Sequence, residues 1–228
     1  MTFLKTLLDS IILFLNMTLH KMSGGKEFLI DKAYKARETQ ATYIYAPQKP
    51  KVLWLGDSRQ MEFEAEINGK PGHANGSVAG SKLREGLLYG AELAKIVKPK
   101  IILEDFAGND FLAGRHLDDI IADKKKLREQ LKKVCANVYT FEIGYLSPQA
   151  ASNPKIGARW VEIHAAIKVY NTLMAIDLGD EFIRLNDLLG EGVMRPEYDL
   201  DGVHWNPTAW TTVVWPRAQE AMKRAGIA

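Results

Sequence analysis

A short apolar run that ends on a glycine, an acid and a hydroxyl constrains the fold of this chain more than any other stretch. Residues 52–55 follow Pro50, and Gly56, Asp57 and Ser58 come directly after them. The run is too short for a helix and is bounded by turn residues, which favours a strand covered on both faces. In open α/β sheets ligands bind beyond the carboxyl ends of the strands, so Ser58 would stand at the usual place for a site. Asp57 and Ser58 are also favoured helix caps, so the pattern alone allows a purely structural role.

Strand and helix patterns alternate along the rest of the chain. Further strands are predicted near residues 73–75, 100–106, 137–145 and 181–185. Helices are predicted at residues 59–67, 82–97, 117–134, 158–176 and 207–225. Alternation at this spacing is typical of a parallel sheet with helices on both faces. The sequence therefore predicts an α/β fold in one main domain, residues 47–228, which the length of 228 residues and the 46% hydrophobic content can support.

Residues 1–46 are predicted to be an N-terminal amphipathic helix and a linker. The uncharged stretch from Ser10 to Leu19 is too short to span a bilayer, which takes about 20 apolar residues. A signal or anchor sequence is one interpretation, and an amphipathic helix that lies on a membrane or packs on protein is the favoured one. Cytoplasmic or membrane-associated localisation is slightly favoured over export. The apolar positions at helical spacing are Leu4, Leu7, Leu8, Ile11, Phe14, Leu15 and Leu19.

Charge and cysteine content exclude several classes of function. The net charge of +2 comes from 30 basic and 28 acidic residues spread along the chain, so we expect no nucleic-acid partner. Cys135 is the only cysteine, which rules out an internal disulfide and a cysteine metal cluster. We expect no metal and no cofactor, because no partner at metal-ligand spacing accompanies His20, His73, His116 or His164.

Polar loops fall at the carboxyl ends of three predicted strands, and a fourth polar segment precedes the last helix. The loops are residues 56–58, 75–80 and 107–110, and the fourth segment contains Asp201 and His204. A serine is a weak nucleophile unless a base lies within hydrogen-bond reach and a third group orients that base. His204 and Asp201 could supply the base and the orienting group for Ser58.

These four segments, in this order, resemble the four sequence blocks of the SGNH (GDSL-type) hydrolase family, over about residues 51–228. The first block, Gly-Asp-Ser, and the last, Asp-x-x-His, are intact. The resemblance implies a flavodoxin-like fold, a three-layer α/β/α sandwich around a five-stranded parallel sheet. It also implies Ser58 as nucleophile, His204 as base and Asp201 as its partner. The implied oxyanion hole consists of the backbone N–H groups of Ser58 and Gly80 and the side chain of Asn109.

Two positions depart from the family's pattern. The second block usually reads Asn-x-Gly-x-x-Gly, and here Ser77 replaces the first glycine while Gly80 is kept. The third block usually reads Gly-x-Asn-Asp, and here Ala107 takes the glycine position, which narrows the allowed backbone angles. Asp57 and Asp110 are interpreted as structural caps or loop anchors.

The sequence predicts a serine ester hydrolase that forms an acyl-enzyme. Members of the resembled family act on lipids, acetylated sugars, thioesters and aryl esters, so the blocks do not define the substrate. The short inserts between the blocks leave no room for a large lid, which favours a short acyl group such as an acetate on a carbohydrate. The alternatives are a non-catalytic carbohydrate-binding or scaffold protein of the same fold, motivated by Ser77 and Ala107, and an O-acyltransferase. Residues 1–22 are a candidate segment for contact with a membrane or another protein.

Overall fold

Five parallel strands form the centre of the molecule in a computed structural model, which describes residues 8, 10–16, 18, 30–154 and 156–227. Their order across the sheet is β2-β1-β3-β4-β5, and this confirms the predicted α/β fold with a five-stranded parallel sheet. The chain turns from one side of β1 to the other, so the residues that follow β1 stand at a topological switch point. The strands are β1 (Val52–Gly56), β2 (His73–Asn75), β3 (Ile101–Asp105), β4 (Val138–Phe141) and β5 (Phe182–Ile183).

Helices cover both faces of the sheet, and three of them contain a π-helical stretch of five residues. None of the described helices is both long and apolar enough to cross a membrane. The helices are α1 (Ile30–Gln40, Ala41–Tyr45 and Ala46–Gln48 in succession), α2 (Ser58–Met61), α3 (Glu64–Asn68), α4 (Leu83–Glu85, Gly86–Gly90 and Ala91–Val97), α5 (Gly108–Leu112), α6 (Leu117–Lys132), α7 (Trp160–Leu178), α8 (Asn186–Leu189) and α9 (Pro207–Ala209, Trp210–Val214 and Trp215–Arg224).

Alternate residues of β1 point into two separate cores, one on each face of the sheet. Leu53 and Leu55 belong to the core that includes buried residues of α1, α4, α6 and α7. Val52 and Trp54 belong to the core that includes α9, where the Trp54 ring stacks on Phe141. Because side chains alternate along a strand, a run that is apolar at every position is what a strand between two cores requires.

Side chains between Ile30 and Tyr45 are buried in the core, which corrects the interpretation of this stretch as part of a linker. Tyr34 is fully buried and donates a hydrogen bond to Ser81 Oγ at 3.0 Å. Arg37 is also fully buried, and it pairs with Glu64 at 2.6 Å and donates to the Ser77 carbonyl. The polar composition of α1 suggested a solvated segment, yet these side chains are buried because each has a specific partner. The predicted boundary near Ala46 falls inside this helix, and the division into residues 1–46 and a catalytic domain of residues 47–228 stays a prediction.

The N-terminal segment, which we define as residues 8, 10–16 and 18, is helical and packs on the core through a face that the sequence did not predict. Leu13 and Asn16 are buried, and Ile12 packs against the same core as α1. Leu4, Leu7 and Leu19 of the predicted stripe lie outside the described residues. The described members of that stripe are exposed: Leu8 (56%), Ile11 (45%), Phe14 (62%) and Leu15 (41%).

Candidate active site

Ser58 is the first residue of α2 and follows directly on the turn at the carboxyl end of β1. The side chain of Asp57 caps this helix by accepting a hydrogen bond from the Arg59 N–H at 3.0 Å. A Cβ on residue 56 would lie 2.9 Å from Gln60 Oε1 and 3.0 Å from the Asp105 carbonyl oxygen, so only Gly56 fits the turn. The glycine and the cap together fix the direction in which Ser58 leaves the sheet.

Ser58, His204 and Asp201, the three residues singled out in the sequence, lie in a continuous chain of hydrogen bonds. Ser58 Oγ lies 2.8 Å from His204 Nε2, although the two residues are 146 positions apart. His204 Nδ1 lies 2.8 Å from Asp201 Oδ2, and the other carboxylate oxygen accepts the His204 backbone N–H at 2.9 Å. An ionised carboxylate only accepts hydrogen bonds, so Nδ1 carries the proton of the neutral ring and Nε2 can accept from the serine hydroxyl.

Neighbouring carboxylates control the protonation of this chain. Burial by itself would lower the pKa of His204, but the hydrogen bond to Asp201 and the negative charges of Glu62, Asp201 and Asp57 outweigh burial and raise that pKa. Burial would raise the pKa of Asp201, but hydrogen bonds from His204 and from the Val203 N–H hold it well below its usual value. Asp201 is therefore ionised wherever His204 can act as a base.

The predicted oxyanion donors differ in whether they line the cavity beside Ser58. Asn109 and Ser58 line the same cavity, whereas Gly80 is not among the described residues that line it. Asn109 Nδ2 donates to the Ser81 carbonyl at 3.0 Å and to Asp57 Oδ2 at 3.3 Å. Both amide hydrogens of Asn109 therefore have acceptors within the protein, and the longer contact is the one with Asp57.

The two residues that depart from the family's blocks have specific contacts within their loops. Ala107 has a φ of +110°, a region that favours glycine, at a cost on the order of 1–3 kcal/mol. Its carbonyl still accepts the Asp110 N–H at 3.0 Å and closes the first turn of α5. Ser77 donates its backbone N–H to Asn75 Oδ1 at 2.9 Å and its hydroxyl to Gln60 Oε1 at 2.8 Å.

A cluster of buried charges beside the serine was missed by sequence reasoning. Arg59 is only 4% exposed; its Nη2 lies 2.9 Å from Asp105 Oδ1, and its Nε lies 3.4 Å from Asp57 Oδ1. Burial raises the pKa of Asp105 to about 7, although the Arg59 guanidinium opposes the shift. The signal in the sequence was an arginine after the serine and an acid at the end of β3, but their pairing depends on the register that sets Gly56 opposite Asp105.

The other singled-out residues have structural contacts. Asp110 anchors its loop, because it accepts the Leu83 N–H at 2.9 Å and pairs with Arg115 at 2.7 Å. Trp205 is buried with its ring 5.5 Å from Arg59 Cζ and does not line the cavity. Among the described residues no group of histidine, cysteine, aspartate and glutamate side chains is arranged to hold a metal ion.

The cavity beside Ser58 has a volume of about 360 Å³ and a largely apolar wall. One part of the wall is held in place by Asn171 on α7, whose side-chain amide donates to the Ile143 carbonyl at 2.8 Å and accepts the Ile143 N–H at 3.2 Å. This pair of hydrogen bonds ends β4 earlier than the predicted strand 137–145. The apolar lining residues are Leu112, Ile143, Leu146, Ile167, Leu200 and Val203.

Solved structures that superpose on this chain include several hydrolases and also the OSK domain of Drosophila Oskar, which gives a TM-score of 0.56 at 14% identity, over 82% of this chain and 94% of that chain. A GDSL-like lipase from Bacteroides thetaiotaomicron VPI-5482 superposes with a TM-score of 0.64 at 16% identity, over 84% of this chain and 98% of that chain. A psychrotrophic esterase from Pseudoalteromonas sp. gives 0.51 at 18% identity, over 76% and 96%. A catalytic mutant of an acetylxylan esterase from Geobacillus stearothermophilus gives 0.52 at 12%, over 78% and 95%. No protein-family model matches the sequence, and no curated protein matches it at a significant level. At these identities the likenesses show the fold.

Proposed function

We propose that this chain, which has the fold of the SGNH (GDSL-type) hydrolases, is a serine ester hydrolase that works through an acyl-enzyme. The observation that carries the proposal is the chain of 2.8 Å hydrogen bonds from Asp201 through His204 to Ser58, beside an apolar cavity. A nucleophile, a base and an orienting carboxylate in this order are the parts that acyl transfer by serine requires.

In the proposed reaction Ser58 Oγ attacks the ester carbonyl carbon while His204 Nε2 takes the hydroxyl proton. The bond from the carbonyl carbon to the alcohol oxygen then breaks, and His204 returns the proton to the departing alcohol. A water molecule attacks the acyl-enzyme in the same way, gives its proton to His204, and releases the acid while Ser58 regains its hydrogen. Asp201 stays ionised and stabilises the imidazolium that forms in each half of the reaction.

The oxyanion that develops on the carbonyl oxygen needs fixed donors. We assign this role to the backbone N–H of Ser58 and the side chain of Asn109, which line the cavity. The N–H of Gly80, which does not line it, stays a donor predicted from the sequence alone. The removal of one such donor typically costs about 2.7–4 kcal/mol of transition-state stabilisation. Asn109 would exchange its 3.3 Å contact with Asp57 for the oxyanion and keep its shorter bond to Ser81.

The cavity extends the proposal for the acyl group beyond acetate. The sequence-based preference for a short acyl group rested on the lack of a large lid. A volume of about 360 Å³ with six apolar lining residues can also hold several methylene groups, and each buried methylene contributes about 0.8 kcal/mol. We therefore propose a substrate with a short to medium acyl chain, and an acetylated carbohydrate is one member of this class.

The decisive experiment combines turnover with covalent labelling. Ser58→Ala should abolish release of nitrophenol from a short-chain aryl ester, whereas Thr42→Ala, which removes an exposed hydroxyl on α1 outside the cavity lining, should leave it unchanged. A fluorophosphonate probe should label the native chain at Ser58, as mapped by mass spectrometry. A folded protein that is neither labelled nor active would instead support the non-catalytic binding protein. Product analysis with a sugar acceptor would separate a transferase from a hydrolase.

A further inference from the structure

Exposed lysines line the amino-terminal edge of the sheet, at the opposite end of the strands from Ser58. Lys49 and Lys51 precede β1, Lys70 precedes β2, and Lys98 and Lys100 precede β3; all five are exposed. Parallel neighbouring strands begin at the same edge, so the five lysines share one end of the molecule. The Lys100 N–H donates to the Lys51 carbonyl at 2.8 Å, which places these two residues side by side. We call this set the lysine edge.

The charges of the lysine edge are not neutralised within the part of the chain that the structure describes. None of its five side chains takes part there in an ion pair or a side-chain hydrogen bond, and Lys70 Nζ lies 5.0 Å from the ring of Trp215. Two carboxylates of the neighbouring helices have other partners: Glu64 pairs with Arg37 and Glu92 pairs with Lys95, each at 2.6 Å. The edge therefore presents positive charge to solvent.

The N-terminal segment packs along α1, the helix that leads directly into Lys49 of the lysine edge. Ile12 shares a groove with Tyr43 and Ile96. The groove follows α1 from Lys32 to Tyr43, and Lys35 and Glu38 also line it. Tyr43 and Ile96 are its lining residues closest in the chain to Lys49 and Lys98 of the lysine edge. The outer face of the segment carries the exposed side chains Leu8, Ile11, Phe14 and Leu15, and Tyr43 is 53% exposed beside it.

We infer that this end of the molecule docks on an anionic lipid surface. Stable interfacial binding requires both buried apolar area and several basic residues near the headgroups. The N-terminal segment supplies the apolar area, and the lysine edge, into which α1 leads, supplies the basic residues. A second copy of this chain fits the face poorly, because symmetric pairing through it would set five lysines against five lysines. In this orientation the cavity at Ser58, beyond the carboxyl ends of the strands, opens away from the lipid and towards water.

Sedimentation of the full-length chain with vesicles tests the inference. We expect tighter partition onto vesicles of phosphatidylcholine mixed with phosphatidylglycerol than onto phosphatidylcholine alone, and weaker partition as salt is added. Lys98→Gln/Lys100→Gln should weaken partition onto the anionic vesicles roughly 30-fold. Lys126→Gln/Arg195→Gln removes the same charge from exposed positions elsewhere and should change partition little. Phe14→Ser should weaken partition onto both kinds of vesicle.

Several outcomes would overturn the inference. These are the absence of the chain from both vesicle pellets, equal loss of partition in the two charge variants, and a concentration-dependent dimer that Phe14→Ser dissociates. The orientation has a separate readout, since turnover of a water-soluble aryl ester should not change when the chain is vesicle-bound. Complete inhibition on vesicles would mean that the cavity faces the lipid and that the docking face has been misassigned.

Discussion

Gly108 and the guanidinium of Arg59 fit together only because residue 108 has no side chain: a Cβ there would lie 2.6 Å from Arg59 Nη2. Arg59 in turn pairs with Asp57, and Asp57 accepts a hydrogen bond from Asn109. The close approach at Gly108 therefore helps to fix the position of the Asn109 amide, which is a proposed oxyanion donor, through Arg59 and Asp57.

Substitution of Gly108 tests this connection. Gly108→Ala should displace Arg59 and lower kcat for an aryl ester by about 10²-fold with little change in KM, since misplacement of a catalytic group by about 1 Å has that effect. Gly90→Ala is the matched control, because a Cβ at residue 90 meets nothing closer than 3.6 Å. Equal kinetics for both variants would show that the Arg59 position does not matter for turnover.

The pH dependence of turnover should follow His204. The base must be neutral, and its pKa is raised, so activity should rise with pH through a value above the ordinary one of about 6.5. Asp201→Asn removes the charge that favours the protonated ring, so the inflection should move to lower pH while kcat falls on the order of 10⁴-fold. Asp187→Asn serves as the control, because it removes the charge of an exposed aspartate that pairs with Arg217. A rate that is flat from about pH 5 to 9 with chemistry limiting would exclude His204 as the base.

Acyl-chain selectivity should depend on the apolar wall of the cavity. Leu112 is a half-buried lining residue at the end of α5, and Leu112→Trp should fill part of the volume. In a series of aryl esters this variant should lose longer acyl chains first, by roughly tenfold in kcat/KM, while acetyl esters are little affected. Leu188→Trp, at a position 41% exposed and outside the cavity, should leave the series unchanged. An identical chain-length profile for all three proteins would place the acyl group elsewhere.

A buried ion pair between β3 and α6 should dominate local stability. Lys124 Nζ lies 2.7 Å from Glu104 Oε2, and both side chains are fully buried. Lys124→Met leaves an unpaired buried carboxylate and should lower the free energy of unfolding in urea by about 3–5 kcal/mol. Lys124→Met/Glu104→Gln removes both charges and should recover much of that loss. If the losses of unfolding free energy from the two substitutions simply added in the double variant, the stabilising effects of the two charges would not depend on each other.

The sequence predicted the parts of this molecule whose signals are local. The apolar run of β1, the turn at Gly56 and the spacing of Asp201 and His204 can each be recognised from a few neighbouring residues. The burial of Arg37 and Arg59 could not be predicted in this way, because it depends on partners brought together by strand register and helix packing. For the same reason α1 was interpreted as a linker. The positive φ at Ala107 was missed because alanine rarely adopts it.

The separation of 146 positions between Ser58 and His204 also has a kinetic consequence. Closure of so long a loop is slow compared with the formation of a helix, and the catalytic contact spans the first strand of the sheet and the segment before α9. We expect a refolding chain to recover its far-ultraviolet circular dichroism before it regains reactivity towards a fluorophosphonate. Labelling at Ser58 would then report the last step of assembly, and a chain cut anywhere between the two residues would stay unreactive unless its pieces reassociate.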